Sequence, residues 1–138
     1  MLHIKSIKPL STSIITTGNR YEEDIKENGI IVSKKGDLKL YQTVKAVGPM
    51  VRGVEVGDQV MINPAAYVRR KYSKDSIQND MDNNPIMSVE FEWVSIDDED
   101  GNPKDCLLLN DRDIRFVFEG EETNESIIIP NKPKLIVN

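Results

Sequence analysis

Cys106 and His3 are the only cysteine and the only histidine among 138 residues. One thiol excludes an internal disulfide. One imidazole excludes a Cys/His zinc centre and leaves at most a single Ser-His or Cys-His pairing for nucleophilic catalysis. Aromatic residues make up 6% of the chain, with one tryptophan, Trp93. No apolar run approaches the ~20 residues of a membrane span, and the first seven residues lack the long apolar stretch of a secretory leader, so a soluble, cytoplasmic protein with no membrane contact is expected. Positive charge is also scarce: 18 Lys and Arg stand against 23 Asp and Glu, a net charge of −5. That balance argues against a nucleic-acid partner bound through phosphate neutralisation, and the small basic group Arg69, Arg70, Lys71 does not reverse it.

What is present reads as β structure in one domain of modest core. Residues 12–17, 38–47, 59–63 and 66–72 are rich in Ile, Val, Thr and Tyr and are expected to be strands. Val89, Phe91 and Trp93 alternate with Glu90 and Glu92, and Ile114, Phe116 and Phe118 alternate around Arg115, the period-two pattern of a strand with one wet face. Turn signals separate these runs: Gly48-Pro49, Gly53, Gly57-Asp58, Asn63-Pro64, Asn83-Asn84-Pro85 and Asp100-Gly101-Asn102-Pro103. An all-β fold, a small barrel or sandwich, follows from that spacing. Ile14, Ile15, Ile114, Phe116 and Phe118 are expected in the core or at a subunit interface. Residues 21–28 contain helix formers but only Ile25 as an apolar anchor, which reads as a solvated loop. Two polar stretches look like additions to the core: residues 73–104, and residues 121–138, whose apolar runs 127–129 and 135–137 are split by Pro130 and Pro133.

Candidate chemical sites fall away one by one. Asp97, Asp98, Glu99, Asp100 and Gly101 suggest a calcium loop, but an EF-hand placed on Gly101 would need an acid at Ile96 and a glutamate at Leu107, so a solvated hairpin tip is expected. Asp111 and Asp113 could be an acid/base pair, and a turn-capping role fits their position better. Gly48, Gly53 and Gly57 lack phosphate-loop spacing and read as turn glycines. Cys106 beside Leu107, Leu108 and Leu109 reads as a small buried hydrophobe. No enzyme activity, cofactor or metal is expected.

Several strings occur in an order that resembles the chaperonin-10 (GroES-type) family across the N-terminal three-quarters of the chain. Ile7-Lys8-Pro9-Leu10 resembles that family's opening strand, and Gly29-Ile30-Ile31-Val32 the apolar tip of its mobile loop. Val44-Lys45-Ala46-Val47-Gly48-Pro49 resembles the strand leaving the loop, and Val54-Glu55-Val56-Gly57-Asp58-Gln59-Val60 the turn into the next strand. The run from Cys106 through Asn110-Asp111-Arg112-Asp113 to Ile114 resembles its closing strand and turn. Only eight residues, 49–56, separate Gly48 from Gly57, too few for the roof hairpin of bacterial members; this resembles the roofless co-chaperonins of tailed phages.

The resemblance implies a GroES-like β-barrel over residues 1–120, with a mobile loop at 18–39 and an inserted hairpin or loop at 73–104, followed by a C-terminal extension at 121–138. It implies a co-chaperonin that forms a homo-oligomeric, heptameric ring and caps a GroEL-type chaperonin, ATP being bound by the partner. The chaperonin-binding residues would be Gly29, Ile30, Ile31 and Val32. Physically, a polar loop jointed by Gly18, Gly29 and Gly36 buries too little apolar surface to order itself alone, while its Ile-Ile-Val centre can dock in a groove. Burying those three side chains is worth about 5–9 kcal/mol gross, and ordering the loop takes back about 2–5 kcal/mol. One loop is thus a weak ligand, and a ring of them gains avidity. An ordinary core strand is the plain alternative for residues 30–32, though glycine and charge flank them on both sides. A second reading, from a different class, is a virion or assembly protein that uses residues 73–104 and the tail to grip neighbours, with the virion as its location.

Overall fold

A computed structural model describes residues 1–71 and 86–125, whose regular secondary structure is almost wholly β. Ten strands follow in order: β1 (Ser13–Thr17), β2 (Ile25–Glu27), β3 (Ile30–Ser33), β4 (Tyr41–Val47), β5 (Gln59–Ile62), β6 (Val68–Lys71), β7 (Ile86–Val89), β8 (Glu92–Asp97), β9 (Pro103–Asn110) and β10 (Ile114–Phe118). Six of them form one sheet in the order β10-β5-β4-β1-β9-β8, and β2-β3 and β6-β7 form separate two-stranded ladders. Every strand pairing is antiparallel. The all-β expectation therefore holds.

β1 occupies an inner position and has Ile14, Ile15 and Thr16 fully buried. Its run of Ile and Thr suits a strand covered on both faces, because β-branched side chains pack well on a pleated surface. A register shift between Ile15 and Thr16 in its pairing with β4 marks a bulge, which adds local twist. Two apolar clusters make the core. Ile14, Val44 and Val60 form one, and Ile62, Leu107 and Leu109 the other; Ile114 packs against both. Leu38, Tyr67 and Phe91 close the second cluster. Cys106 is buried in β9, as its sequence context suggested, and burial pushes its thiol pKa up, so the thiolate needed for reactivity is disfavoured.

Several expectations are corrected. Residues 7–10 form no strand, and the one β-bridge of the N-terminal stretch before β1 is a parallel one between Ile4 and Ile96. The alternating run from Val89 to Trp93 is split between β7 and β8: the Glu90 amide donates to the Tyr67 carbonyl at 2.9 Å, in register with the β6–β7 ladder, whereas Trp93 pairs with Leu107 of β9. Residues 64–67 make a short 3₁₀ turn before β6, started by Pro64 and capped by the Asn63 side chain. Phe116, expected in the core or at a subunit interface, is half exposed within the subunit, and Ile114 of β10 packs against both clusters. Gly48 is not a positive-φ turn glycine: a Cβ placed there would lie 2.3 Å from the Ser11 carbonyl oxygen, so its role is close backbone approach.

The segment read as an insertion contributes directly to the main sheet, since β8 pairs along its whole length with β9. Its acidic tip is a hairpin turn in which one Asp98 carboxylate oxygen accepts from the amides of Asp100 and Asn102, each at 2.9 Å. Asp113 caps the other end of β9. Its carboxylate accepts from the Asn110 amide at 2.9 Å and from the Tyr67 hydroxyl at 2.6 Å. Asn83-Asn84-Pro85 and the apolar runs at 127–129 and 135–137 lie outside the described residues.

Candidate functional site

Residues 25–33, within the stretch expected as a solvated, mobile loop, form the β2–β3 hairpin. Its turn is Asn28-Gly29, both at positive φ (53° and 80°), which is the requirement of a type I′ turn. Asn tolerates that region, and Gly has no Cβ to clash, so the dipeptide sets a tight two-residue connection between Glu27 and Ile30. This signal was available in the sequence. It loses weight only if the flanking residues are read for apolar periodicity, where Lys26 and Glu27 hide the strand.

Ile25 faces inward and is 7% exposed, whereas Ile30, Ile31 and Val32 are 67%, 45% and 52% exposed. Three adjacent β-branched side chains thus stand on the surface of a hairpin whose other strand presents Lys26 and Glu27. Gly29, Ile30, Ile31 and Val32, the residues singled out from the sequence, are consecutive and exposed on the hairpin, and the plain core-strand alternative does not describe them.

The base of the 18–39 segment is closed by the sheet itself. Lys39 N donates to Asn19 O at 3.0 Å, Tyr21 N to Asp37 O at 2.9 Å, and Arg20 and Leu38 form a bridge. Gln42 of β4, 2% exposed, fastens both ends: its Oε1 accepts from Asn19 N and the Thr17 hydroxyl, and its Nε2 donates to Asn19 O and Lys39 O. At the open end of the ladder, beyond the Ile25–Ser33 pair, Lys35 N donates to the Asp24 carboxylate at 2.7 Å.

A second layer comes from the far end of the chain, and nothing in the local sequence pointed to it. Glu122 accepts from the hydroxyls of Tyr21 at 3.2 Å and Tyr41 at 2.7 Å. The Lys39 ammonium lies over both rings, 5.3 Å and 5.5 Å from their centroids. Burial, and then the bond to Glu122, raise the Tyr41 pKa above its ordinary value, and burial also raises that of Tyr21. An open polar cleft of about 1010 Å³ adjoins this layer, lined by Arg20, Tyr21, Lys39, Asp105 and Glu122 among others. Among the described residues, no group of three or more His, Cys, Asp or Glu side chains could hold a metal ion, and no helix is long and apolar enough to cross a membrane.

The arrangement can present an apolar projection to a complementary groove, anchored at its base by backbone and amide bonds. Compared with known proteins, the chain matches no family model and no curated protein sequence.

Proposed function

We propose that the chain is the subunit of a ring-forming co-chaperonin that docks on a GroEL-type chaperonin through the β2–β3 hairpin and assists ATP-dependent folding, the nucleotide being bound by the partner. One observation carries this reading: Ile30, Ile31 and Val32 are consecutive residues of one strand and are 45–67% exposed on the β2–β3 hairpin. Exposed adjacent aliphatics are costly in water unless a partner covers them, and an extended strand is a common form for docking in a groove.

Two further features support it. The strand order of the main sheet leaves β10 and β8 as its edges among the described residues. Those edges carry exposed Phe116 and Val117 on one side and Trp93 on the other, which suits pairing between copies of a small barrel-like subunit. In addition, four of the five strings that resemble the chaperonin-10 family fall on strands or their connections: the turn into β3 and β3 itself, β4, the β4–β5 connection, and β9 with the start of β10.

The test is co-sedimentation with a chaperonin ring, with and without ATP, for wild type and Ile31→Asp. Wild type is expected to bind in a nucleotide-dependent manner. Ile31→Asp is expected to bind roughly 100-fold more weakly or not at all, since a carboxylate would have to be desolvated in an apolar groove. Binding that ignores nucleotide, or none by either protein, would favour a structural assembly role instead.

A further inference from the structure

Residues 121–125 lie outside the sheets, yet they touch the hairpin from root to turn. Glu122 joins Tyr41, the first residue of β4, to Tyr21 at the root of the hairpin. Asn124 accepts from the Lys26 amide of β2 at 3.1 Å and donates to the Asp24 carbonyl at 2.8 Å. Glu125 accepts from the amide of Gly29, in the turn itself, at 3.0 Å. Asn124 is 3% exposed, although it lies on a segment outside the strands. A buried amide that bonds backbone groups about 100 residues away in sequence is a tertiary fastening.

We propose that residues 121–125 are a strap that holds the β2–β3 hairpin in its docking form in the free subunit. This rests on the docking role given above and assigns its control to the far end of the chain. The hairpin has three ladder pairs and would be marginal by itself. The strap satisfies backbone groups of the 24–29 segment from outside. It does so while leaving Ile30, Ile31 and Val32 67%, 45% and 52% exposed. The strap therefore orders the element while leaving its apolar residues available, and docking then loses less conformational freedom. Releasing the strap, by modification or competition at residues 121–125, would turn a preformed hairpin into a flexible one and weaken capping.

Amide hydrogen exchange of the free, full-length protein and docking affinity for the chaperonin ring test this together. Asn124→Ala is expected to speed exchange at Lys26 and through the β2–β3 ladder by roughly tenfold or more, with the amides of β1 and β9 unchanged. It should also weaken ATP-dependent docking several-fold. Glu125→Ala should speed exchange at Gly29, and Glu125→Gln, which keeps an acceptor oxygen, should restore it. Unchanged exchange in Asn124→Ala and Glu125→Ala would overturn the strap even if wild type docks. Loosened exchange with equal or tighter docking would overturn its preparatory role. If wild type does not dock at all, the co-chaperonin reading fails, and the exchange data alone decide whether the strap exists.

Discussion

Gln42 treats Asn19 as a strand partner: the Asn19 amide donates to Gln42 Oε1 at 2.9 Å, and Gln42 Nε2 donates back to the Asn19 carbonyl at 3.0 Å. The side chain supplies a ladder rung where β1 has ended, and its remaining bonds reach Thr17 and Lys39. Gln42→Leu preserves volume but leaves several buried groups without partners. Each such orphan costs about 1–3 kcal/mol, so a loss on the order of 2–4 kcal/mol is expected after local rearrangement. Urea unfolding would measure it; a change within about 0.5 kcal/mol, the range of an ordinary surface substitution, would show that water replaces the amide at no cost.

How far this organisation is legible in the sequence depends on the range of the interaction. β1, β4 and β5 follow from local β-branched content and turn residues, and Ile14, Val44 and Val60 are buried as that pattern requires; β9 contains no β-branched residue and is legible only as the closing strand that the resemblance implies. β2 is not legible by periodicity, because Ile25 is its only inward side chain and Lys26 and Glu27 are exposed; the Asn28-Gly29 turn is the better local signal. Residues 7–10 show the opposite error, in which a resemblance of strings suggested a strand although Pro9 removes a ladder donor. Of the candidate site, the Gly29 to Val32 projection is visible locally. Glu122, Asn124 and Glu125 are not, since nothing in an acidic, polar run reveals that Tyr21, Tyr41 and Lys26 lie beside it in space.

Gly48 follows β4, where the chain passes over residues 10–11; its amide donates to the Ser13 carbonyl at 2.8 Å. A methyl group there would meet the carbonyl oxygens of Ser11 and Leu10 at 2.3 and 2.9 Å, and backbone cannot move aside as a flexible side chain does. Gly48→Ala is expected to destabilise the fold by about 1–3 kcal/mol through this overlap. Gly120→Ala makes a matched control, because the nearest atom to its added methyl is Phe118 Cδ2 at an ordinary 3.8 Å. Equal denaturation midpoints for the two variants would refute the steric argument.

Tyr67 and Asp113 give the fold an alkaline limit. Burial, followed by the 2.6 Å bond to the Asp113 carboxylate, raises the Tyr67 pKa above its ordinary value of 10.0, and Tyr41 is raised by burial and by Glu122. The folded chain therefore holds these protons more tightly than the unfolded chain does. Their contribution is complete below the unfolded pKa of about 10 and is lost as pH rises above it. Denaturation midpoints are expected to be level from neutrality to about pH 9 and to fall beyond about pH 10. Tyr67→Phe should be less stable near neutrality by roughly 1–3 kcal/mol, having lost a hydrogen bond to a charged acceptor, and should fall less steeply in alkali. An identical alkaline slope in wild type and variant would remove Tyr67 from the explanation.

The turn of the hairpin permits a test that separates the shape of the projection from its chemistry. Gly29 has φ +80° with nothing within 4 Å of an added methyl, so Gly29→Ala creates no clash and costs only the left-handed conformation, about 1–2 kcal/mol. That cost falls on the hairpin and not on the core. The global denaturation midpoint should change little, while exchange at Lys26 and Ile31 should quicken and docking should weaken by about 5- to 30-fold, the equivalent of the same free energy. Ile31→Ala, by contrast, leaves the turn intact and removes apolar contact, so it should weaken docking with no change in hairpin exchange. If both variants dock like wild type, the apolar trio is not the contact surface and the docking role must be sought on another face of the subunit.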